Sequence, residues 1–341
     1  MKINFFPHQD SLAGLSKPKP AQEKLSIIHA ALQETYPFVD RISVALYDEK
    51  TDMLRSFIFS EEGWDKIAYY EAPMSKMPSL KAIVAEGRPR VVNDLSVFDS
   101  GESEHSKVFK VRQYQSSYTS PIIFNDSLWG FVFFNSPNKV SFYEEILDTL
   151  DVYSHLISHV VFRELNAIRV ILAFFDLLIG IVHDIDPETG DHIERVSRFS
   201  RLIALELARK GKYDLTDEAI EYIHEFSGLH DIGKIVIPDD ILLKPGKLNQ
   251  EEWKTMKTHA DQGSEITDRV MKAVKFLSFE YDEYANNIAK YHHENVDGSG
   301  YPMGLGGKEI PLEARIVAVA DVFDALSSER PYKKAWTNEE S

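Results

Sequence analysis

The chain has 341 residues, no cysteine and a formal net charge of −16. The lack of cysteine excludes a disulfide framework and thiolate metal sites, and it fits a reducing cytoplasm. The acidic charge repels a phosphate backbone, which argues against binding to a nucleic-acid polymer. The longest apolar run, Val170–Val182, is too short to cross a bilayer and contains Asp176, so we expect no membrane insertion.

The first half of the sequence predicts an α+β domain over residues 21–145, after an N-terminal arm over 1–20. Helices are predicted over 21–35 and 79–87, and strands over 42–48 and 53–60. Gly87 is expected to close the second helix. A hairpin over 121–134 is expected to turn at Asn125, Asp126 and Ser127. This order resembles a GAF domain, which implies a sensory and dimerising module.

A single long helix is predicted over 146–183, between the two halves of the chain. Its apolar residues follow steps of four and three, a sustained 3.5-residue period that is typical of a coiled-coil seam. We therefore expect a parallel homodimer through this linker helix and the GAF-like domain. Packing of the same stripe on the second domain of its own chain is the alternative. The seam positions are Ile146, Leu150, Tyr153, Ile157, Val160, Ala167, Ile171, Phe174, Leu178 and Ile181.

Histidines and carboxylates are concentrated in the last part of the chain, which is expected to be mostly helical. Each of them alone has an ordinary structural explanation, but eight together in one half predict a metal centre. Two metals that share a carboxylate need about six protein ligands, and adjacent pairs such as His-Asp and His-His can reach different ions. The eight residues are Glu188, His192, His230, Asp231, His259, His292, His293 and Asp321.

The motifs around these residues resemble those of the HD-GYP family of metal phosphohydrolases over residues 184–341. His230-Asp231 matches the HD doublet, and HHENVDGSGYP, which begins at His292, matches the extended signature of the family. Further matches are ETGDHIERV, LHDIGKIVIPDDILLKPGKL, EEWKTMKTH, GLGGKEIPLEARI, ADVFDAL and RPYK. The resemblance implies an all-α helical bundle that hydrolyses the bacterial second messenger cyclic di-GMP.

Carried over to this sequence, the resemblance assigns a role to each site residue. Asp231 would bridge two metals, Glu188 would support a third, and Lys234 would contact phosphate as a catalytic cation. Tyr301 of the Gly-Tyr-Pro turn would face the substrate, together with Arg330 and Lys333. The remaining metal ligands would be His192, His230, His259, His292, His293 and Asp321.

The expected cofactors are two or three divalent transition metals per chain. Imidazole and carboxylate ligands suit several such ions; the resemblance favours iron, then manganese, and nickel, cobalt and zinc remain open. Neighbouring metals neutralise phosphate charge and lower the pKa of water. The expected product is pGpG, GMP or both.

Two other functions stay open at this stage. A silent cyclic di-GMP receptor would be expected to lack metal ligands, whereas here all of them are present. A phosphodiesterase for a mixed cyclic GMP-AMP dinucleotide would carry the same ligands.

Overall fold

The computed structural model describes residues 9–60, 70–98, 114–183, 188–274 and 279–328. The chain divides into two compact units, Met1–Arg163 and Glu164–Ser341. The boundary between the two units lies inside the linker helix that was predicted over 146–183. None of the described helices is long and apolar enough to cross a membrane.

The first unit is built on one antiparallel sheet of six strands in the order β3-β2-β1-β6-β5-β4. Its helices are α1 (Ala21–Gln33) and α2 (Pro78–Glu86). The strands are β1 (Arg41–Asp48), β2 (Met53–Phe59), β3 (Glu71–Pro73), β4 (Arg90–Val92), β5 (Ser116–Phe124) and β6 (Ser127–Ser136). This is the α+β architecture that the sequence predicted.

Local turn chemistry places these elements close to where they were expected. Asn125 and Asp126 both have positive φ, at 50° and 60°, and they join β5 to β6. Two such residues form the tight turn that matches the twist of a hairpin. Gly87 follows α2 with φ of 62°, the left-handed cap that glycine adopts without a steric penalty.

Both faces of the sheet carry buried aromatic side chains, and alternate residues of β6 point to opposite faces. Phe131 and Phe133 belong to a buried cluster with Leu80 and Ile83 of α2. On the opposite face, the ring centroids of Tyr118 and Phe134 lie 5.6 Å apart.

One long helix, α3 (Glu144–His183), follows the sheet as the sequence predicted. Its early residues pack on the sheet: the Asp151 carboxylate accepts a hydrogen bond from the Tyr118 hydroxyl, and Phe162 stacks on Phe124 with centroids 4.0 Å apart. Of the first five seam positions, Tyr153 is partly buried and the other four are buried within this unit: Ile146, Leu150, Ile157 and Val160.

This burial limits what the apolar period can mean. The alternative for the stripe is packing on the second domain, yet four of its first five positions are buried within the first unit. Those four side chains are therefore not free to form a seam with a partner chain. The side chains of Ala167, Ile171, Phe174, Leu178 and Ile181 lie outside the described residues, and the homodimer stays a prediction.

The described part of the second unit is helical, apart from an isolated bridge between Asp297 and Gly306. The helices are α4 (Glu188–Arg209), α5 (Asp217–Phe226), α6 (Asp239–Leu242), α7 (Gln250–Val274), α8 (Phe279–Tyr291) and α9 (Leu312–Ser327). α4 packs against α5 and α9, and α7 packs against α8 and against the 3-10 turn Ile232–Val236. The Thr216 hydroxyl caps α5 by accepting the Ala219 N–H at 3.0 Å.

Candidate metal centre

Side chains from five parts of the helical unit meet at one place. His192 lies on α4, His259 on α7 and Asp321 on α9. The adjacent pair His230 and Asp231 lies between two 3-10 turns, Ser227–Leu229 and Ile232–Val236. The second adjacent pair, His292 and His293, directly follows α8.

A glycine lets the His-Asp turn approach α7 closely. A Cβ on Gly233 would lie 1.9 Å from the carbonyl oxygen of His259 and 2.5 Å from the backbone nitrogen of Gly263. Any larger residue would collide with this backbone. Gly233 therefore allows the contact that brings Asp231 and His259 into one site.

Two groups of potential ligands overlap at a single carboxylate. In the first group, ligand atoms of Asp231, His259, His292 and His293 all lie within 4.8 Å of one another. In the second, Asp231 is joined by His192 and His230 within the same distance. Asp321 extends the second group, because its Oδ1 lies 3.5 Å from Nε2 of His192. Asp231 is thus placed where a carboxylate could serve two metal ions.

Backbone carbonyls orient three of the imidazoles. Nδ1 of His230 bonds the Ser227 carbonyl at 2.8 Å, and Nδ1 of His259 bonds that of Met256 at 2.7 Å. Nδ1 of His292 bonds the carbonyl oxygen of Ile288 at 3.0 Å. A carbonyl only accepts, so Nδ1 carries the proton and Nε2 is left with a lone pair in each neutral ring. These Nε2 atoms lie 3.3, 3.6 and 3.9 Å from the Asp231 carboxylate, in the order His230, His259, His292.

This arrangement fits divalent metal ions. Nε2 of His259 and Nε2 of His292 lie 3.5 Å apart, and with both protons on Nδ1 neither ring can donate to the other. Nε2 of His230 is buried and makes no well-aligned hydrogen bond among the described residues, although the Asp231 carboxylate lies 3.3 Å away. A buried acceptor without a donor is costly, whereas one cation beside His230 and a second between His259 and His292 would satisfy all three nitrogens. Imidazole nitrogen with carboxylate oxygen is a donor set that suits iron, manganese, nickel, cobalt and zinc.

The charge states of the cluster are largely those that metal ligands need. Burial lowers the pKa of His259, and burial together with the neighbouring His293 holds that of His292 well below its ordinary value. Burial and the nearby His259 lower the pKa of His293 to about 4. The pKa of Asp231 is held well below its ordinary range because Lys234 and His230 outweigh the opposing effect of burial. At neutral pH these three imidazoles are therefore neutral and the carboxylate is ionised.

His230 behaves differently in the absence of a metal. Burial alone would lower its pKa, but the adjacent Asp231 carboxylate outweighs burial and raises it. A divalent cation at the same carboxylate would reverse this balance, because it competes with the proton for Nε2.

A buried carboxylate that the sequence reasoning missed orients His192. Asp324 is fully buried, and its Oδ2 lies 2.7 Å from Nδ1 of His192. Its two oxygens also accept bonds from Arg195, from Nε at 2.6 Å and from Nη2 at 3.1 Å. The arrangement turns Nε2 of His192 toward Asp321, as in the carboxylate–histidine pairs of metal sites. The sequence did contain a signal for this arrangement: Arg195 lies three residues after His192 in HIER, and Asp324 lies three residues after Asp321 in DVFD.

Lys234 and Tyr301, both predicted to contact substrate, lie beside the cluster. The Lys234 ammonium bonds the Asp231 carboxylate and is partly exposed. The Tyr301 ring lies against His293, with centroids 4.7 Å apart and planes inclined by 31°. Burial and the nearby Asp231 raise the pKa of Tyr301 above its ordinary value, so the phenol stays protonated.

A second missed residue, Glu294, fixes the turn that carries Tyr301. Its buried carboxylate accepts backbone N–H bonds from Met303 at 2.7 Å, Gly304 at 3.0 Å and Leu305 at 3.0 Å. A Cβ on Gly300 would lie 2.4 Å from the backbone nitrogen of Asn295, so the turn folds back tightly on itself. Glu294 directly follows the two histidines and is thus the link between ligands and turn.

The structure does not describe the side chains of three predicted site residues. Arg330 and Lys333 lie outside the described residues, as does the side chain of Glu188. Their assignments, and the ligand roles of the residues in the cluster, remain predictions.

The two units match two known domain families. Residues 184–341 match the family model for the HD domain, and residues 23–161 match that for the GAF domain. Both domains were expected from the sequence and are confirmed.

Three curated relatives each match 45–46% of this chain. A cyclic di-GMP phosphodiesterase response regulator of Xanthomonas campestris pv. campestris, RpfG, is 48% identical over 152 residues, which are 45% of this chain and 37% of that protein. A probable cyclic di-GMP phosphodiesterase of Vibrio cholerae is 44% identical over 158 residues, 46% of this chain and 36% of that one. A 3'3'-cGAMP-specific phosphodiesterase 2 of the same species is 43% identical over 153 residues, which are 45% of this chain and 27% of that protein. The chain thus spans about a third of the length of these relatives.

Proposed function

The chain joins a GAF domain to an HD domain, and from this premise we propose that it is a metal-dependent phosphodiesterase that hydrolyses cyclic di-GMP. The observation that carries the proposal is the position of Asp231 in both groups of potential ligands. A shared carboxylate is what a centre of two neighbouring ions requires, and such centres cleave phosphodiesters. The names of the relatives from Xanthomonas and Vibrio support the same substrate class.

The proposed ligands are the seven residues of the cluster together with Glu188. His192, His230, Asp231 and Asp321 would hold one ion, and Asp231 with His259, His292 and His293 would hold the other. Divalent ions in these positions would neutralise the phosphate and lower the pKa of a water molecule. Iron is the favoured ion and manganese the next, as the HD-GYP resemblance at the Glu188 position implies; nickel, cobalt and zinc stay open because the donor set suits them as well.

The protein residues around the cluster have separate tasks in this proposal. Lys234 donates to a non-bridging oxygen of the phosphate and offsets the charge that develops there. The protonated phenol of Tyr301 donates to substrate beside His293. The fixed Nδ1 bonds hold the imidazoles in place during the reaction, so that the ligand set does not have to reorganise. Arg330 and Lys333 are proposed as further basic contacts to substrate.

The GAF domain is proposed to regulate this activity and to contribute to a parallel homodimer. The described part of the HD domain contains all the proposed ligands whose side chains can be placed, so the first unit has no catalytic task here. A fragment that begins near residue 180 is therefore expected to retain some hydrolysis. The same fragment should dimerise much less than the full chain.

A mixed cyclic GMP-AMP dinucleotide is the second candidate substrate. It is favoured by the 43% identity to a relative that is named as specific for 3'3'-cGAMP. The same metal centre would serve either substrate, because both contain the same kind of phosphodiester. A catalytically silent receptor is less well supported, since the seven clustered ligand positions are intact.

The deciding experiment is product chromatography with purified, metal-loaded protein and each cyclic dinucleotide supplied separately. The proposal expects cyclic di-GMP to disappear and pGpG, GMP or both to accumulate. Cleavage of the mixed dinucleotide alone would establish the second candidate instead. Tight binding without turnover of either compound, with metal present, would identify a receptor.

A further inference from the structure

Two side chains of α7 extend the site away from the metal cluster. Trp253 and Lys257 are one helical turn apart and on the same face of α7. The Lys257 ammonium lies 5.0 Å from the centroid of Tyr301 and 6.0 Å from that of Trp253. Since Tyr301 rests on His293, a continuous row of side chains runs from the cluster to Trp253, whose side chain is 48% exposed.

Lys257 is a cation without an acidic partner in the part of the chain that the structure describes. No carboxylate among those residues lies within 4.0 Å of its ammonium. Neighbouring lysines differ, because Lys254 bonds Glu251 at 2.7 Å and Lys244 bonds Glu252 at 2.6 Å. In a chain with a net charge of −16, an uncompensated cation beside the cluster favours an anionic ligand at that point.

We propose that Trp253 and Lys257 form a subsite for the half of a cyclic dinucleotide that is not being cleaved. The inference rests on the proposed phosphodiesterase function. A cyclic dinucleotide carries two phosphates and two purines, and the cluster acts on one phosphate at a time. Lys257 binds the other phosphate, and the exposed ring of Trp253 stacks on the adjacent base. Stacking of a base on an aromatic ring and contact with a nearby cation are common in nucleotide recognition.

The subsite predicts a difference between large and small substrates. A small diester such as bis(p-nitrophenyl) phosphate has no second phosphate for Lys257 to bind and no purine base to stack on Trp253. Loss of Lys257 or Trp253 should therefore weaken the use of cyclic di-GMP and leave the small diester unaffected. A purely structural role, in which Lys257 only supports the Tyr301 ring, would affect both substrates alike.

The test compares steady-state kinetics of Lys257→Met and Trp253→Leu on both substrates. We expect KM for cyclic di-GMP to rise about tenfold or more, with kcat changed less than about twofold. Activity on bis(p-nitrophenyl) phosphate should stay within about twofold of wild type. Lys257→Arg should keep most of the affinity because it keeps the charge. Lys254→Met, on the same helix but paired with Glu251, is the matched control and should behave as wild type.

Two results would overturn the subsite alone. One is an unchanged KM for cyclic di-GMP in both variants; the other is an equal loss on both substrates with normal circular dichroism and metal content. If Lys257→Met does not fold, the exposed Trp253 position still decides the question. Failure of the proposed function gives a different pattern, because wild type would then cleave no cyclic dinucleotide at all, which overturns both proposals.

Discussion

The carboxylate of Asp324 bonds Nδ1 of His192 at 2.7 Å and is itself held by Arg195. The three residues come from two helices that are far apart in sequence, α4 and α9. Asp324 is fully buried, whereas the neighbouring Asp321 side chain keeps 22% of its surface exposed. The more buried carboxylate thus orients a ligand, and the more exposed one points toward the cluster.

Asp324→Asn is expected to weaken metal binding without unfolding the protein. Asparagine can still accept the Nδ1–H of His192, but it removes the charge that raises the basicity of the ring and pairs with Arg195. Affinity for the metal should fall by about 10- to 100-fold, measured by titration of the apoprotein. Arg198→Ala, which breaks an exposed pair with Glu194 on the same helix, is the control and should leave affinity unchanged. Equal affinities of Asp324→Asn and wild type would remove the orienting role.

Asp231→Ala is expected to abolish turnover and to remove most of the bound metal. The carboxylate is close to both groups of ligands, so its loss affects two ions at once. Elemental analysis and product chromatography on the same sample measure the two effects together. A variant that keeps wild-type metal content would show that Asp231 is not shared between ions.

Gly233→Ala is expected to destabilise the HD domain by about 3 kcal/mol or more, since overpacking in a tight site typically costs about 1–3 kcal/mol and here the contact is with backbone. The new Cβ would lie 1.9 Å from the His259 carbonyl oxygen. Gly306→Ala is the control, because its Cβ would approach no atom closer than 3.5 Å and its φ of −120° suits alanine. Urea unfolding of both variants measures the difference, and similar midpoints would contradict the packing argument.

The metal-free protein is expected to lose stability as the pH falls from about 6.5 to about 4. An unfolded histidine has a pKa of about 6.5, whereas His293 in the folded chain has a pKa of about 4 and those of His259 and His292 are also lowered. The unfolded state therefore binds more protons in this window, and the free energy of unfolding decreases with decreasing pH. His230, whose pKa is raised, has the opposite effect, but it is one histidine against three.

Thermal unfolding of chelator-treated protein at pH 7.5 and pH 5 measures this effect. His293→Gln should show a smaller difference between the two conditions than wild type. His155→Gln, at an exposed position of α3, should show the same difference as wild type. A wild-type midpoint that does not move between the two pH values would contradict the expected pKa shifts.

Glu188→Ala tests for a third ion. Glu188 and His192 are one helical turn apart, so both side chains can address the same edge of a cluster. We expect the variant to keep two metals and some cleavage to pGpG, but to bind less metal in total and to form GMP more slowly. If Glu188 only complements the helix N-terminus, an effect of about 0.3–1 kcal/mol, metal count and product ratio will stay unchanged. Metal analysis with timed chromatography of pGpG and GMP distinguishes the two.

Much of the fold could be predicted because its signals are local. The Asn125-Asp126 turn, the Gly87 cap and the alternating strands each follow from a few neighbouring residues. The apolar period of α3 shows which face is buried but not what covers it, and four of the first five seam positions are buried within the first unit of their own chain. A period alone cannot distinguish a coiled-coil seam from intrachain packing.

The candidate site shows the same division between local and distant information. The paired residues His230-Asp231 and His292-His293 are visible as motifs, and the structure brings them together. Asp324 and Glu294 were missed because their partners are distant or are backbone groups. The cost of burying a carboxylate is larger for Asp324 than for Asp321, but its compensation by Arg195 appears only once α4 and α9 are packed together.

The number of metal ions per chain in anaerobically purified wild-type protein tests the central claim most directly. Two groups of ligands that share Asp231 predict about two or more transition-metal ions per chain. Inductively coupled plasma mass spectrometry measures this number after anaerobic reconstitution with iron or manganese. A content below about one ion per chain after reconstitution would contradict a shared-carboxylate centre.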